Sequence, residues 1–329
     1  MACSGGWDWA PYATTYDRWG AKVFSLGVWK DVYLVSVAPA AAAISHVVPA
    51  VTYTGAYPVE PLTDDTAAPF LVDLIVHTRA QRSTKATLTA TGEWDPTHPV
   101  TATVAVPAGE GSVGIKLTAH GVKLWWPNGH GKQPLYNVSV SLTFPTAATT
   151  ATTAGTEVVA ATRRIGFRYA VLVTGNDTDP AYVAAAATTD GSSVRGMMNT
   201  FFFRVNGAAV YAKGANMVPM EEMEGRADAD ALRYLVQNAA SAGFTILRNW
   251  GGGIFQYDAW YDALDELGIM CYQDLMYTMT STSFTPILPT CFRNFFVVWC
   301  ALLYSICCAL ICGDLGGAAA QLGRVLASI

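Results

Sequence analysis

Two periodicities divide the chain. From Ile44 to about Ile165, short runs alternate apolar and polar residues, the pattern of strands with one buried face. Phe70 to His77 is one such run and Val100 to Val106 another. Tyr136 to Phe144 is a third, with Val138, Val140 and Leu142 set between serines. Turn residues separate the runs at regular intervals, which predicts a β-sandwich of immunoglobulin type. Beyond Asp228 the period lengthens to that of a helix. Leu232, Leu235, Val236 and Ala239 follow Asp228, a predicted N-cap, and Gly243 marks the stop. Thr245 to Leu247 then reads as a short strand. Tyr257, Trp260, Tyr261, Leu264 and Leu267 repeat the helical spacing up to Gly268, and Ile269 to Tyr272 is a further strand. With an earlier strand at Val210 to Ala212, the order strand, helix, strand, helix, strand predicts a parallel α/β unit. A closed barrel of this kind needs eight strands.

Other segments are less regular. Val28 to Val37 reads as a strand led by Trp29, Tyr33 and Val35, with Pro39 and Ala40 to Ala43 as a linker. The Thr/Ala tract from Thr146 to Thr156 predicts a solvated loop. Gly175 to Asn199 is small and polar and predicts an exposed loop, after which Phe201 to Gly207 leads into the α/β unit.

Composition narrows the function classes. The formal charge is -5, without a basic stripe, so nucleic acid is not an expected partner. The cysteines form no pair of CxxC motifs at zinc spacing, and neither a metal site nor any other cofactor is expected. The N-terminus lacks the charged and apolar regions of a signal peptide. Asn137-Val138-Ser139 and Asn176-Asp177-Thr178 match the glycosylation triplet, a weak pointer to a secretory or lysosomal route. The character changes after Tyr277. From Ser281 onward the only charged residues are Arg293, Asp314 and Arg324, and Phe295 to Cys312 is apolar and cysteine-rich. By length and polarity that run is a membrane-span candidate. The preferred expectation is that 278–329 reflects a frameshift, an intron read-through or a gene-model error. A membrane is a partner only if residues 295–312 are genuine.

The densest chemistry lies at Ile246 to Phe255. An arginine, Arg248, and a tryptophan, Trp250, stand where a strand ends, and Gly251, Gly252 and Gly253 follow. Strand ends of a parallel barrel face the open side where ligands sit. An indole face and a guanidinium together suit a sugar, whose C–H face stacks while its hydroxyls take hydrogen bonds. Taken alone, the motif reads equally well as a glycine-rich connection around a core tryptophan.

Several motifs in register carry a resemblance. Lys213-Gly214-Ala215-Asn216, Arg248-Asn249-Trp250-Gly251-Gly252-Gly253 and Leu267-Gly268-Ile269-Met270 with Gln273-Asp274 look like the start of the catalytic barrel in β-mannosidases of glycoside hydrolase family 2. Gly6-Trp7-Asp8-Trp9-Ala10-Pro11 resembles the loop that the family's N-terminal sandwich sends into the sugar pocket. Leu124-Trp125-Trp126-Pro127-Asn128-Gly129 with Gln133-Pro134-Leu135-Tyr136 resembles a signature of its middle domain. The resemblance spans about residues 3–277.

The resemblance implies a multidomain β plus α/β chain, an immunoglobulin-like sandwich followed by an incomplete (β/α)8 (TIM) barrel. Residues 1–38 would be the end of a jelly-roll sugar-binding domain, 39–166 the sandwich, 167–277 the first three barrel strands and 278–329 a divergent tail. It implies a β-mannoside oligosaccharide or glycan as ligand, bound by Trp7, Asp8, Trp9, Asn216, Arg248 and Trp250, with Asn216 orienting Arg248. Retaining glycosidases of this kind use two carboxylates about 5 Å apart. In the family both are glutamates after later strands, the first in an Asn-Glu pair. The 329 residues contain no such pair, so no catalytic residue is assigned and this chain alone is expected to be inactive. Glu221, Glu222 and Glu224 read as a solvated loop, and Asp274 as a structural acceptor. Ala10, Met217, Thr245, Gln256 and Tyr272 depart from the family pattern, where glycine, tryptophan, asparagine, glutamate and tryptophan are usual. The alternative expectation is a non-catalytic carbohydrate-binding or interaction protein, built on the sandwich or tethered by 295–312.

Overall fold

A computed structural model describes residues 32–65, 67–146, 155–188, 200–221, 226–251 and 253–274, and the backbone of two short strands, β1 (Thr15–Tyr16) and β2 (Lys22–Val23). The expected site residues Trp7, Asp8 and Trp9, the glutamates Glu222 and Glu224, and the tail 278–329 lie outside the described residues.

The alternating region folds as two packed antiparallel sheets. Its strands are β3 (Ala42–Tyr53), β4 (Phe70–Ala80), β5 (Thr84–Gly92), β6 (Val100–Val106), β7 (Gly109–Ala119), β8 (Tyr136–Thr146) and β9 (Gly155–Ile165). One sheet has the order β3-β4-β7 and the other β6-β5-β8-β9. The alternation read from the sequence is the inward face: Val72, Leu74 and Val76 of β4 meet Leu88 of β5 and Val138, Val140 and Leu142 of β8 in one core. Phe167 closes one end, its ring 5.1 to 5.3 Å from those of Trp94, Phe70 and Tyr136. Pro49 is tolerated because β3 is an edge strand.

A small antiparallel sheet follows: β10 (Ala170–Val173), β11 (Phe202–Val205) and β12 (Ala208–Val210) in that order. Between β10 and β11 lies a helix, α1 (Pro180–Thr188). Here the structure corrects two expectations. Gly175 to Asn199 contains a helix because Pro180 presets the first turn, Asp179 accepts the Ala181 N–H at 2.9 Å, and a run of alanines follows. Val210 belongs to a hairpin with β11 rather than to the parallel sheet. Asn206 and Gly207 both take positive φ, 48° and 84°, which is the Asn-Gly turn that twists a hairpin correctly. The segment Val28 to Val37 is also corrected where it is described. Residues 32–37 join no ladder, and Val32, Tyr33, Leu34 and Val35 are exposed.

The parallel unit is β13 (Gly214–Met217), α2 (Ala229–Ser241), β14 (Ile246–Asn249), α3 (Asp258–Leu267) and β15 (Met270–Gln273). Its sheet order is β13-β14-β15, with all pairs parallel. Asp228 caps α2 through the Asp230 N–H at 3.0 Å, as its sequence position implied. Gly268 ends α3 in the left-handed conformation, and Gly243 follows α2 at φ 78°. Leu232, Val236, Trp260 and Leu264 bury the helices against Leu247 and Met217. Each strand has only four residues, too few to be stable without that layer.

Two clusters join these parts. Arg164 of β9 reaches Asp262 at 3.0 Å and Glu266 at 2.7 Å on α3, and Glu266 also binds Arg233 of α2. Arg204 and Asp177 form a nearly dry ion pair at 2.6 Å, with side chains 11% and 7% exposed. Tyr57 donates to the same carboxylate at 2.8 Å, so the pair pins α1's approach and β11 to the loop after β3.

Candidate functional site

The carboxyl ends of β13, β14 and β15 bring four expected groups together. Asn216, Arg248 and Tyr272 are ladder partners on neighbouring strands, so their side chains share a face. The Arg248 guanidinium donates to Asp274 Oδ2 at 2.6 Å and Oδ1 at 3.3 Å, and to Asn216 Oδ1 at 3.2 Å. It also lies 5.5 Å from the centroid of the Tyr272 ring. Asn216 thus accepts a hydrogen bond from the arginine across the ladder. Asp274 is a structural acceptor with two tasks, because its Oδ2 also takes the Gly251 N–H at 3.0 Å. One carboxylate holds the arginine and starts the glycine turn. Arg248 remains about one-third exposed while Asp274 is 14% exposed, so the cation faces outward from a buried anchor. The outward guanidinium edge can donate hydrogen bonds to hydroxyls or to an anion.

Beneath this pair lies an uncharged polar network that the sequence did not suggest. Asn249 is fully buried. Its Nδ2 donates to Ile254 O and Gln273 Oε1, both at 3.1 Å, and its Oδ1 accepts from Gln256 Nε2 at 3.1 Å. Tyr261 donates to the same Gln273 oxygen at 2.7 Å. Burial first, then the neighbouring Cys271 thiol, pushes the Tyr261 hydroxyl well above the ordinary tyrosine range, so it stays a donor. Gln256 stands where the resemblance leads one to expect a glutamate. Here its amide supplies a donor inside a neutral network, where a buried charge would be costly. A signal lay in the sequence: Asn249 and Gln273 end short strands, and Gln256 stands just before α3.

Other expected groups stand elsewhere. Met217 is buried in the helix–sheet core, away from the Arg248 face. Thr245 is buried and links β14 to the chain before β13, donating to Tyr211 O at 2.8 Å and accepting from the Lys213 N–H at 3.0 Å. Trp250 follows β14 directly, with its N–H on Met217 O at 3.1 Å and its carbonyl accepting from Gly253 at 3.1 Å. Glu221 pairs with Arg226 at 3.4 Å. Among the described residues, no three His, Cys, Asp or Glu side chains gather as a metal site. Among them, too, no helix is long and apolar enough to cross a membrane.

The Trp125–Asn128 signature faces the other end of the parallel sheet. Trp125 donates through its indole N–H to Asp265 O at 2.7 Å, and Arg168 lies 4.4 Å over its ring. Asn128 donates to Ala240 O, Phe244 O and Gly268 O. The motif joins the sandwich to the α/β unit and lines no part of the Arg248 face.

Comparison with known proteins follows the same pattern. No protein-family model matches the chain. The chain is similar to the β-mannosidase of Capra hircus, 32% identical over 156 residues that make up 47% of this chain and 15% of the relative. β-Mannosidase B of Aspergillus oryzae is 28% identical over 280 residues, 83% of this chain and 26% of the relative. Among solved structures, the β-D-mannosidase of Dictyoglomus thermophilum superposes with a TM-score of 0.51 at 26% identity, over 71% of this chain and 24% of that one. An exo-chitosanase of Amycolatopsis orientalis, 15% identical with a TM-score of 0.50 over 70% of this chain and 22% of that one, shares the fold alone. The resemblance to β-mannosidases therefore extends over most of the chain, while the chain spans about a quarter or less of each of these proteins.

Proposed function

We propose that these 329 residues are part of a retaining β-mannosidase of glycoside hydrolase family 2 and carry one wall of its sugar pocket. In this reading β13, β14 and β15 are the first three strands of a (β/α)8 barrel. Residues 1–38 close a sugar-binding jelly roll, 39–166 form the immunoglobulin-like sandwich, 167–277 begin the barrel and 278–329 are a divergent tail. The ligand is a terminal, non-reducing β-linked mannose. The observation that carries the reading is the Arg248 constellation: a guanidinium about one-third exposed, fixed by Asp274 and Asn216 at the strand ends, with Trp250 and the glycine turn beside it. Arg248 binds hydroxyls, Trp250 stacks on the ring, and Trp7, Asp8 and Trp9 close the pocket from the preceding domain.

Hydrolysis needs an acid and a nucleophile flanking the glycosidic bond. Neither is assigned here, since Asp274 is already committed to Arg248 and Gly251. This chain alone thus binds without cleaving. The test titrates the purified chain with mannose and an aryl β-mannoside, following tryptophan fluorescence and aglycone release. Binding weakened about tenfold by Trp250→Ala and by Arg248→Met, with no release, is the expected outcome. Release that Trp250→Ala abolishes would overturn the non-catalytic part. Binding indifferent to both substitutions would overturn the pocket.

A further inference from the structure

One residue of the sandwich touches the entry of two parallel strands at once. Asn128 Nδ2 donates to Phe244 O at 3.0 Å and to Ala240 O at 2.8 Å. Its backbone N–H donates to Gly268 O at 2.7 Å. Phe244 and Gly268 are equivalent positions. Each stands two residues before the first residue of its strand, Ile246 or Met270, and those two are partners in the ladder. Trp125 adds a hydrogen bond at 2.7 Å to Asp265 O, a carbonyl in the last turn of α3. Arg248 lies four residues beyond Phe244, and Asp274 lies six beyond Gly268. Strands of four residues have few ladder bonds with which to fix their own register. A slip between them would carry Arg248 away from Asp274 and release the Gly251 N–H.

We propose that Asn128, assisted by Trp125, is a positioning residue that sets β14 against β15 from the far end of the sheet and so holds the Arg248–Asp274–Gly251 arrangement. This goes beyond the pocket reading and holds whatever ligand Arg248 meets. The rival account is simple adhesion between sandwich and α/β unit. Arg164 separates the two, because it ties β9 to α3 through Asp262 and Glu266 without touching either strand entry.

Amide hydrogen exchange on the full chain decides between them. Asn128→Asp keeps the size and the backbone N–H but turns a donor into a carboxylate facing two carbonyls. Arg164→Met removes the adhesive ion pairs. The Gly251 amide, which donates to Asp274, is expected to exchange about tenfold faster in Asn128→Asp and within about twofold of the parent in Arg164→Met, at matched global stability in urea. Equal acceleration in both variants overturns the proposal in favour of adhesion. An unchanged Gly251 amide in Asn128→Asp overturns it outright. Should Asn128→Asp not fold, Trp125→Phe decides, again at matched global stability, since it removes the N–H that meets Asp265 O and leaves a smaller ring in its place. It must speed the same amide, and a parent-like rate sinks the idea. None of these readouts uses sugar, so failure here is distinct from failure of the pocket.

Discussion

Two glycines with the same backbone conformation give a controlled measurement of the joint between sandwich and α/β unit. Gly243 and Gly268 both follow helices at positive φ, 78° and 77°. Alanine at either position carries the left-handed penalty of about 1–2 kcal/mol. Their surroundings differ. A Cβ on Gly243 meets nothing within 4 Å. A Cβ on Gly268 would stand 2.6 Å from Asn128 N, 2.8 Å from Gln133 Nε2 and 3.1 Å from Asn128 Cα. Two of these atoms are backbone, so the loop must move as a body. The movement breaks the 2.7 Å bond from Asn128 N to Gly268 O. Losing a bond of that kind costs about 0.5–1.5 kcal/mol net, and up to about 3 kcal/mol if the N–H stays buried without a partner. Gly268→Ala should therefore cost about 2–4 kcal/mol, and Gly243→Ala about 1–2 kcal/mol. Urea unfolding of both variants, followed by tryptophan fluorescence and by circular dichroism, measures the difference. Equal costs would show that the Asn128 approach adds nothing to stability and would refute the reasoning.

Further predictions concern the charged clusters. Asp177→Ala leaves Arg204 charged and nearly dry, and should cost about 3–5 kcal/mol in urea unfolding; a loss below about 1 kcal/mol contradicts the buried pair. Burial alone would raise the Asp177 carboxyl, but the hydrogen bonds from Arg204 and Tyr57 and the Arg204 charge outweigh it and hold it below the ordinary range. Its contribution is therefore full above the unfolded value near 3.9 and is lost as pH falls through the lower folded value, so Asp177→Asn should flatten the acid limb of stability against pH. Burial, then His77 and Arg163, lowers His46, whose ring stacks on His77 at 4.0 Å. The neutral His46 ring contributes stability fully above the unfolded value near 6.5, and that contribution is lost as pH falls through the lower folded value, so His46→Phe should remove a stability step in that window. Arg164→Met should cost only about 1 kcal/mol, because Asp262 is about half exposed and the pair is screened by water.

How much could be read from the residues depends on the range of the interactions. Local signals were legible. Asp228, Gly243 and Gly268 mark helix ends through their own backbone needs, and the alternation of Val138, Val140 and Leu142 names the inward face of β8 without knowledge of its partner. The Asn206-Gly207 turn is an equally local signal, but Val210 to Ala212 looks as apolar as any parallel strand and masks the hairpin. Strand one thus moved to Gly214–Met217. Non-local roles were hidden. Asp177 reads as a polar loop residue until Arg204 and Tyr57 are placed around it. The Trp125–Asn128 run stands out in the sequence only as a signature of the middle domain, and only the fold shows that its donors go to helix and turn carbonyls.

The Arg248 face and the Asn128 joint are therefore best understood as opposite ends of one lever. At the upper end the polar groups are charged and partly wet, so each interaction there is weak and adjustable, which suits a ligand. At the lower end they are backbone carbonyls met by a half-buried amide and a buried indole, where a lost bond can leave an unsatisfied group. Between them the Asn249, Gln256, Gln273 and Tyr261 network is neutral and closed. Neutrality matters here, because its geometry persists while pH varies across the range in which carboxylates and imidazoles titrate. Asn249→Leu should accordingly damage the Arg248 face more than its distance suggests, since Gln256 Nε2 would lose its acceptor, Gln273 Oε1 one of its donors and the Ile254 carbonyl its donor. The loss is expected to reach about 3 kcal/mol or more, the cost of several unsatisfied buried groups. Asn249→Asp should be worse, because it places a charge in a site that offers no cation. If Asn249→Asp proves as stable as the parent at pH 7 in urea unfolding, the network is wetter than its burial implies and the rigid lever fails as a description.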